Sequence, residues 1–198
     1  MKKLALILLA GALITGCGAK ENEKAVKEIN VYTALENEQI PVFLENFKKH
    51  YPDIKVNITR DSTGVVITKV LAEKDNPQAD VVWGTAASGL LMLDNAGILE
   101  PYAPKGVERV NPRFKDDAEI PVWVGNNAWM ATFAVNTEEM KRLNLPVPKT
   151  YEDLLKPEYK GLISMPHPAS SGTGFLAVAG FMQIMGEDNA WNYMEKLH

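Results

Sequence analysis

The chain is poor in the residues that build redox, metal and nucleic-acid chemistry. A single cysteine, Cys17, excludes any disulfide within the chain and any metal site built on paired thiolates. The three histidines, His50, His167 and His198, show none of the spacings that ligate a metal, which leaves an oxygen-ligated ion as the only metal option. No basic run interleaved with aromatics occurs and the formal net charge is −4, so nucleic acid is excluded as a partner. No Gly-x-Ser-x-Gly elbow surrounds Ser170 or Ser171. His167 is close to them in sequence, but the prolines on either side hold it on the preceding loop, and no acid is placed to orient it as a base. Gly172-Thr173-Gly174-Phe175-Leu176-Ala177 matches G-x-G-x-x-A, yet a Pro-rich loop precedes it instead of the tight strand-to-helix turn a dinucleotide needs. The sequence thus offers no catalytic residues, no metal site and no cofactor site.

Long apolar runs are also lacking. Residues 4–14 form an apolar segment too short to span a bilayer. Lys2 and Lys3 precede it and Thr15-Gly16 follow it, the pattern of a secretory signal. Ile14-Thr15-Gly16-Cys17 resembles a bacterial lipobox, which implies cleavage before Cys17 and lipidation of its sulfur. Residues 1–16 are then the signal and residues 17–27 a polar, lipid-anchored tether. The other reading is a plain secretory signal and a buried free thiol. Without the two signal lysines the net charge becomes −6. With 46% hydrophobic against 23% charged residues, the remainder is globular, enough for one domain with a real core or two small lobes.

What the chain does have is an alternation of strand and helix patterns. Residues 29–32 and 54–58 are β-rich, the second alternating as a half-buried strand does, and residues 79–83 form a third such run. Between them, Ile40, Phe43, Leu44 and Phe47 mark one face of a helix over 36–50. Residues 65–74 and 89–95 read as two more helices. This order implies a parallel sheet wrapped by helices, a first α/β lobe over residues 28–120. Five prolines and glycines then punctuate residues 101–121. The apolar runs at 122–124 and 129–135 predict strands that cross a hinge, residues 121–135. A partial second lobe over 136–198 follows, with helices at 138–143, 151–155 and 189–197, and a strand at 162–165 leading into a buried helix over 175–185.

An open α/β sheet binds its ligand at the C-terminal ends of its strands. There the chain places Thr33-Ala34-Leu35-Glu36, Ser62-Thr63-Gly64 and Thr85-Ala86-Ala87-Ser88, and the later helix opens on Ser170-Ser171-Gly172-Thr173. Hydroxyls and unpaired amides at helix starts suit an anion, although Ser and Thr are also ordinary N-caps. The candidate ligand-binding residues are Thr33, Ala34, Glu36, Ser62, Thr63, Ala87, Ser88, Ser170, Ser171, Gly172 and Thr173. Glu36 is the candidate for an amine on the ligand, or else a first-turn residue favoured by the helix dipole. Trp123, with Asn126, Asn127 and Trp129, lies in the hinge, where the tryptophans are either core or the lining of a cleft.

Taken in order, Val31-Tyr32-Thr33-Ala34-Leu35-Glu36, Arg60-Asp61-Ser62-Thr63-Gly64, Gln78-Ala79-Asp80-Val81-Val82-Trp83-Gly84, Glu100-Pro101-Tyr102, Pro157-Glu158-Tyr159-Lys160-Gly161 and Pro168-Ala169-Ser170-Ser171-Gly172-Thr173-Gly174 resemble the substrate-binding proteins of ABC importers. The branch that looks nearest is that of the 2-aminoethylphosphonate binders, relatives of the ferric-iron binders. The resemblance runs from Ile29 to His198. It implies the type II periplasmic-binding-protein fold, two α/β lobes joined by hinge strands, here with the second lobe truncated. It further implies closure on a small anionic solute, delivery to ABC permease subunits, and an extracytoplasmic place at the membrane through lipidated Cys17. Ferric iron or another small solute is the alternative ligand, and a surface lipoprotein without a ligand is the remaining alternative.

Overall fold

Parallel strands cannot be joined by a tight hairpin, so each needs a crossover, and the helix-period segments supply it. In a computed structural model, residues 27–198 are described. The signal, the lipobox with Cys17 and all but the last residue of the tether lie outside the described residues. Strand β1 (Lys27–Thr33) is central, between β2 (Ile54–Arg60) and β3 (Val81–Trp83), and both pairings are parallel. Val31 stands opposite Ile58 on one side and Val81 on the other. The three strands and the helices between them form the expected parallel α/β unit, with β1 beginning two residues earlier than its β-rich run, at Lys27.

Alternation along β1 divides the apolar residues between two faces. Tyr32 packs with Val66, Ile67 and Val70 of α2 (Thr63–Ala72) and with Leu93 of α3 (Ala87–Asn95), which is fully buried. Val31 and Trp83 face α1 (Ile40–His50), where Phe43 meets Trp83 edge-on with ring centroids 5.2 Å apart. Helix α1 starts four residues later than its periodicity predicts. Glu36 to Gln39 form a turn instead, closed by the Gln39 N–H on the Glu36 carbonyl at 3.0 Å. Pro41 sits in the first helical turn, where a missing N–H is harmless.

Beyond Pro101 the backbone is irregular, as the prolines predict, with short 3-10 turns at Val107–Arg109 and Pro112–Phe114 and one antiparallel bridge between Lys115 and Val124. The strands expected at 122–124, 129–135 and 162–165 do not form among the described residues. The physical reason is partnership. Apolar β-branched and aromatic residues favour a strand only when a neighbour completes its ladder, and no strand lies alongside these runs. The helix expected at 151–155 is a 3-10 turn, Glu152–Leu155.

The second half is held by helix packing. Helix α4 (Thr137–Arg142) precedes α5 (Gly172–Met185) and α6 (Glu187–Leu197), which turn on Gly186 at φ +81°. Phe181, Ala190 and Tyr193 form their buried core with Tyr151 and Leu155 against it. The Tyr193 hydroxyl donates to the Tyr151 carbonyl at 2.9 Å, and burial pushes it up to about 12. Asp153 caps the turn before it, accepting from the Lys149 and Thr150 amides and pairing with Lys156 at 2.6 Å.

Candidate anion site at three helix N-termini

The sheet aims the N-termini of α2 and α3 at one edge, and the loop before α5 docks onto that edge. Gly64, in the first turn of α2, donates its N–H to the Ser170 carbonyl at 3.0 Å. A methyl group at Gly64 would overlap the Ala169 carbonyl oxygen and lie 2.9 Å from Ser170 Cα. A methyl group at Gly172 would lie 3.0 Å from Thr63 Oγ1 and 3.4 Å from Ala86 Cβ. The Ala86 N–H in turn donates to Thr63 Oγ1 at 3.4 Å. Three helices thus begin around the Thr63 hydroxyl, and the glycines are what allow the close approach.

At this meeting point several donors have no acceptor. Among the described hydrogen bonds, the amides of Thr63, Ala87, Ser88, Gly172 and Thr173 donate to none. Each belongs to a helix's first turn, where no intrahelical carbonyl is available. The Thr85 hydroxyl, one residue before Ala86, is buried and has no protein partner. Sequence reasoning marked the turn containing Thr85 but chose Ala87 and Ser88 from it. The signal it missed is that a hydroxyl preceding the cap faces inward, where the chain can leave it unpaired. Orphan amides on three dipoles, together with an unpaired hydroxyl, are donors of the kind that suit an anion.

Not every sequence-derived candidate joins this site. Thr33 is fully buried, and its hydroxyl accepts from the Leu35 N–H at 3.1 Å. The Ala34 N–H donates to the Trp83 carbonyl at 3.3 Å. Since α1 begins only at Ile40, neither residue stands at a helix start, and their polar groups serve the turn after β1. Glu36 pairs with Arg60 at 2.6 Å, while Arg60 Nε also donates to the Leu35 carbonyl. Only Oε2 of this carboxylate is paired and the side chain is 67% exposed, so an amine there would share it with the Arg60 guanidinium. Ser171 is the N-cap of α5, its hydroxyl accepting from the Gly174 N–H at 3.3 Å, which is the ordinary capping role. The Ser170 hydroxyl lies 3.4 Å from the His167 carbonyl.

One carboxylate does lie beside the helix ends. Asp61 accepts from the Ser62 N–H at 2.7 Å, with the Ser62 hydroxyl 3.5 Å from the same oxygen. His167 Nδ1 accepts from the Ala169 N–H at 3.2 Å, so the imidazole orders its own loop, and it is the His167 carbonyl that meets Ser170. Trp123 remains in the 115–124 bridge segment with its indole N–H buried and unpartnered, and Asn126, Asn127 and Trp129 are exposed.

A parallel α/β lobe linked by irregular crossing chain to a second helical unit, with helix starts from both meeting at one edge, defines the periplasmic-binding-protein architecture of type II. Residues 76–198 match the profile of the bacterial extracellular solute-binding proteins, and the chain belongs to that family. A protein of Haemophilus influenzae is 31% identical over 199 residues, covering 99% of this chain and 57% of its own length. A probable ABC transporter periplasmic-binding protein of Sinorhizobium fredii is 26% identical over 149 residues, or 73% of this chain and 40% of its own. Among solved structures, the periplasmic binding protein AfuA of Actinobacillus pleuropneumoniae, with fructose-6-phosphate bound, superimposes with a TM-score of 0.76 at 34% identity. The match covers 87% of this chain and 55% of that one. Iron-bound HitA of Pseudomonas aeruginosa shares the fold at a TM-score of 0.69 and 20% identity, with 86% of this chain and 54% of that one covered. The chain therefore spans about half the length of the relatives it matches.

Proposed function

We propose that this chain is the solute-binding component of an ABC importer and that it holds a small anionic solute by its phosphonyl or phosphoryl group. The observation that carries the reading is the set of unpaired amides of Thr63, Ala87, Ser88, Gly172 and Thr173 around the Thr63 hydroxyl. Thr85 adds a buried donor. Because the donors come from both halves of the chain, closure of the lobes on the solute completes its shell. A phosphonate such as 2-aminoethylphosphonate fits, with Asp61 in place of Glu36 as receptor for the amine. AfuA, at 34% identity with fructose-6-phosphate bound, favours a sugar phosphate as the second reading. Ferric iron is the remaining ligand reading.

Calorimetric titration with 2-aminoethylphosphonate, fructose 6-phosphate, inorganic phosphate and ferric citrate tests the reading. An organophosphorus anion is expected to bind more tightly than ferric citrate. Binding of ferric citrate alone, or of none of the four, refutes it. We further propose that the chain acts outside the cytoplasm, anchored through lipidated Cys17 and delivering its solute to permease subunits. More than one buried acyl chain suffices for stable attachment. Cys17→Ser is expected to leave the protein unprocessed or released from membranes.

A further inference from the structure

The loop that brings the start of α5 to the site is built on one side chain. Residues 167–170 make a tight turn, with the Ser170 N–H donating to the His167 carbonyl at 3.2 Å and the Ser171 N–H to the same oxygen at 2.9 Å. Pro168 occupies the second position, where its fixed φ suits the turn. At the first position such turns favour Asn, Asp or Ser, whose side-chain oxygen accepts from the amide two residues on. Here the acceptor is His167 Nδ1, which takes the Ala169 N–H at 3.2 Å. The turn is held on both sides. Ser170 offers its carbonyl to the Gly64 N–H of α2 at 3.0 Å, and a methyl group at Gly174 of α5 would overlap the Pro166 carbonyl oxygen and lie 3.0 Å from the Pro168 nitrogen. The orientation of the turn therefore sets how the starts of α2 and α5 meet.

We infer that His167 is a positioning residue of the anion site: its unprotonated Nδ1 holds the turn that joins α5 to α2, and a proton on that nitrogen loosens the site. The inference rests on the solute-binding reading of the helix starts. An acceptor nitrogen carries no proton, so the bond to Ala169 requires the tautomer protonated at Nε2. Protonation turns Nδ1 into a donor, and two donors then face each other across 3.2 Å. Histidine is the side chain whose charge changes between about pH 5 and 8, a response that Asn or Ser at this position lacks. Charges on the neighbouring elements are engaged elsewhere or absent. Helix α5 carries none. Beside the start of α2 stand Arg60, paired with Glu36, and Asp61, which accepts from the Ser62 N–H. Lys69 and Glu73 pair with each other at the far end of α2, and Asp94 lies at the far end of α3. The bound state needs the docked turn, so it takes up fewer protons at His167 than the open state does. By linkage, acid weakens the hold on the solute.

Calorimetry with 2-aminoethylphosphonate and with fructose 6-phosphate, from about pH 8 to about pH 5 on wild type, His167→Asn and His167→Ala, is the test. Asn supplies an acceptor that does not titrate, and the ratio of wild type to His167→Asn cancels protonation of the solute. Equal affinities are expected at the alkaline end. At the acid end wild type should fall about three- to tenfold below His167→Asn, the loss of one net hydrogen bond. His167→Ala should bind more weakly than His167→Asn by a similar factor throughout. A ratio that does not change with pH overturns the inference, as does a wild type that gains on His167→Asn in acid because the imidazolium attracts the anion directly. Hydrogen exchange of the Gly64 amide without solute separates this inference from the functional reading. Its protection, taken relative to the free-peptide rate at each pH, should fall in acid for wild type and not for His167→Asn, even if neither solute binds. Equal protection of the two proteins in acid overturns the inference whatever the solute.

Discussion

Gly64→Ala and Gly180→Ala place the same methyl group in two helices with opposite consequences. At Gly180, in α5, nothing lies within 4 Å of the new carbon. Alanine then gains its helix propensity, about 0.5–1 kcal/mol of stability. At Gly64 the carbon overlaps the Ala169 carbonyl oxygen and lies 2.9 Å from both Ser170 Cα and its carbonyl oxygen. All three are backbone atoms, so no rotamer change relieves the overlap and the 167–171 loop must move. Overpacking of this kind costs about 1–3 kcal/mol. Stretching the Gly64–Ser170 hydrogen bond of 3.0 Å adds about 0.5–1.5 kcal/mol, partly offset by propensity. The net expectation is a loss of about 1–3 kcal/mol for Gly64→Ala. Urea denaturation followed by circular dichroism reads both variants, as a lower midpoint for Gly64→Ala and a higher one for Gly180→Ala. If Gly64→Ala raises the midpoint as Gly180→Ala does, α2 and the loop are not docked, and the convergent site has no basis.

Other outcomes separate capping from binding. Ser171→Ala removes the cap on Gly174 and is expected to lower stability by about 1 kcal/mol, whereas Ser170→Ala should leave the denaturation midpoint within about 0.5 kcal/mol of wild type. Asp61→Asn should weaken 2-aminoethylphosphonate at least several-fold more than fructose 6-phosphate in calorimetry; an equal effect on both removes Asp61 as the amine receptor. Asp153 is held down to about 2, first by Lys156 and then by the Lys149 and Thr150 amides. A carboxylate lowered on folding stabilises above its unfolded value of 3.8 and loses that contribution as pH falls toward 2. Asp153→Asn should therefore melt lower than wild type at pH 6 and approach it near pH 2. Tyr193, pushed up to about 12 chiefly by burial, stabilises fully below pH 10 and loses that contribution as pH rises through 12. Ultraviolet titration at 295 nm should show one tyrosine ionising only as α6 undocks, and Tyr193→Phe should abolish that late step.

The first lobe was legible because each of its signals had a local cause. Alternation in 54–58, apolar spacing in α1 and α2, and the hydroxyl turns between them all depend on neighbours a few residues away. The runs at 129–135 and 162–165 carried an equally apolar signal, but a strand is a property of two segments, and no partner is paired with either. The site divided along the same line. Thr63, Ala87, Ser88, Gly172 and Thr173 stand in the first turns of helices, and sequence patterns reveal helix starts. That Thr33 turns inward, that Arg60 engages Glu36, and that the Thr85 hydroxyl is buried without a partner depend on tertiary packing, which spacing does not encode.

The bond between Gly64 and Ser170 also bears on the order of folding. It joins residues 106 positions apart, and closing a flexible loop of that length costs about 4 kcal/mol in chain entropy, before a length-independent constant. Local contacts within each half form long before such a closure is favourable. Each half consequently organises on its own, and the cradle at the helix starts comes into being only when they meet. Until then the donors at the starts of α2 and α3 face water and have no counterpart in α5. Solute present during refolding should accordingly leave the early phases unchanged and slow only unfolding, because the structure it recognises arises in the final step.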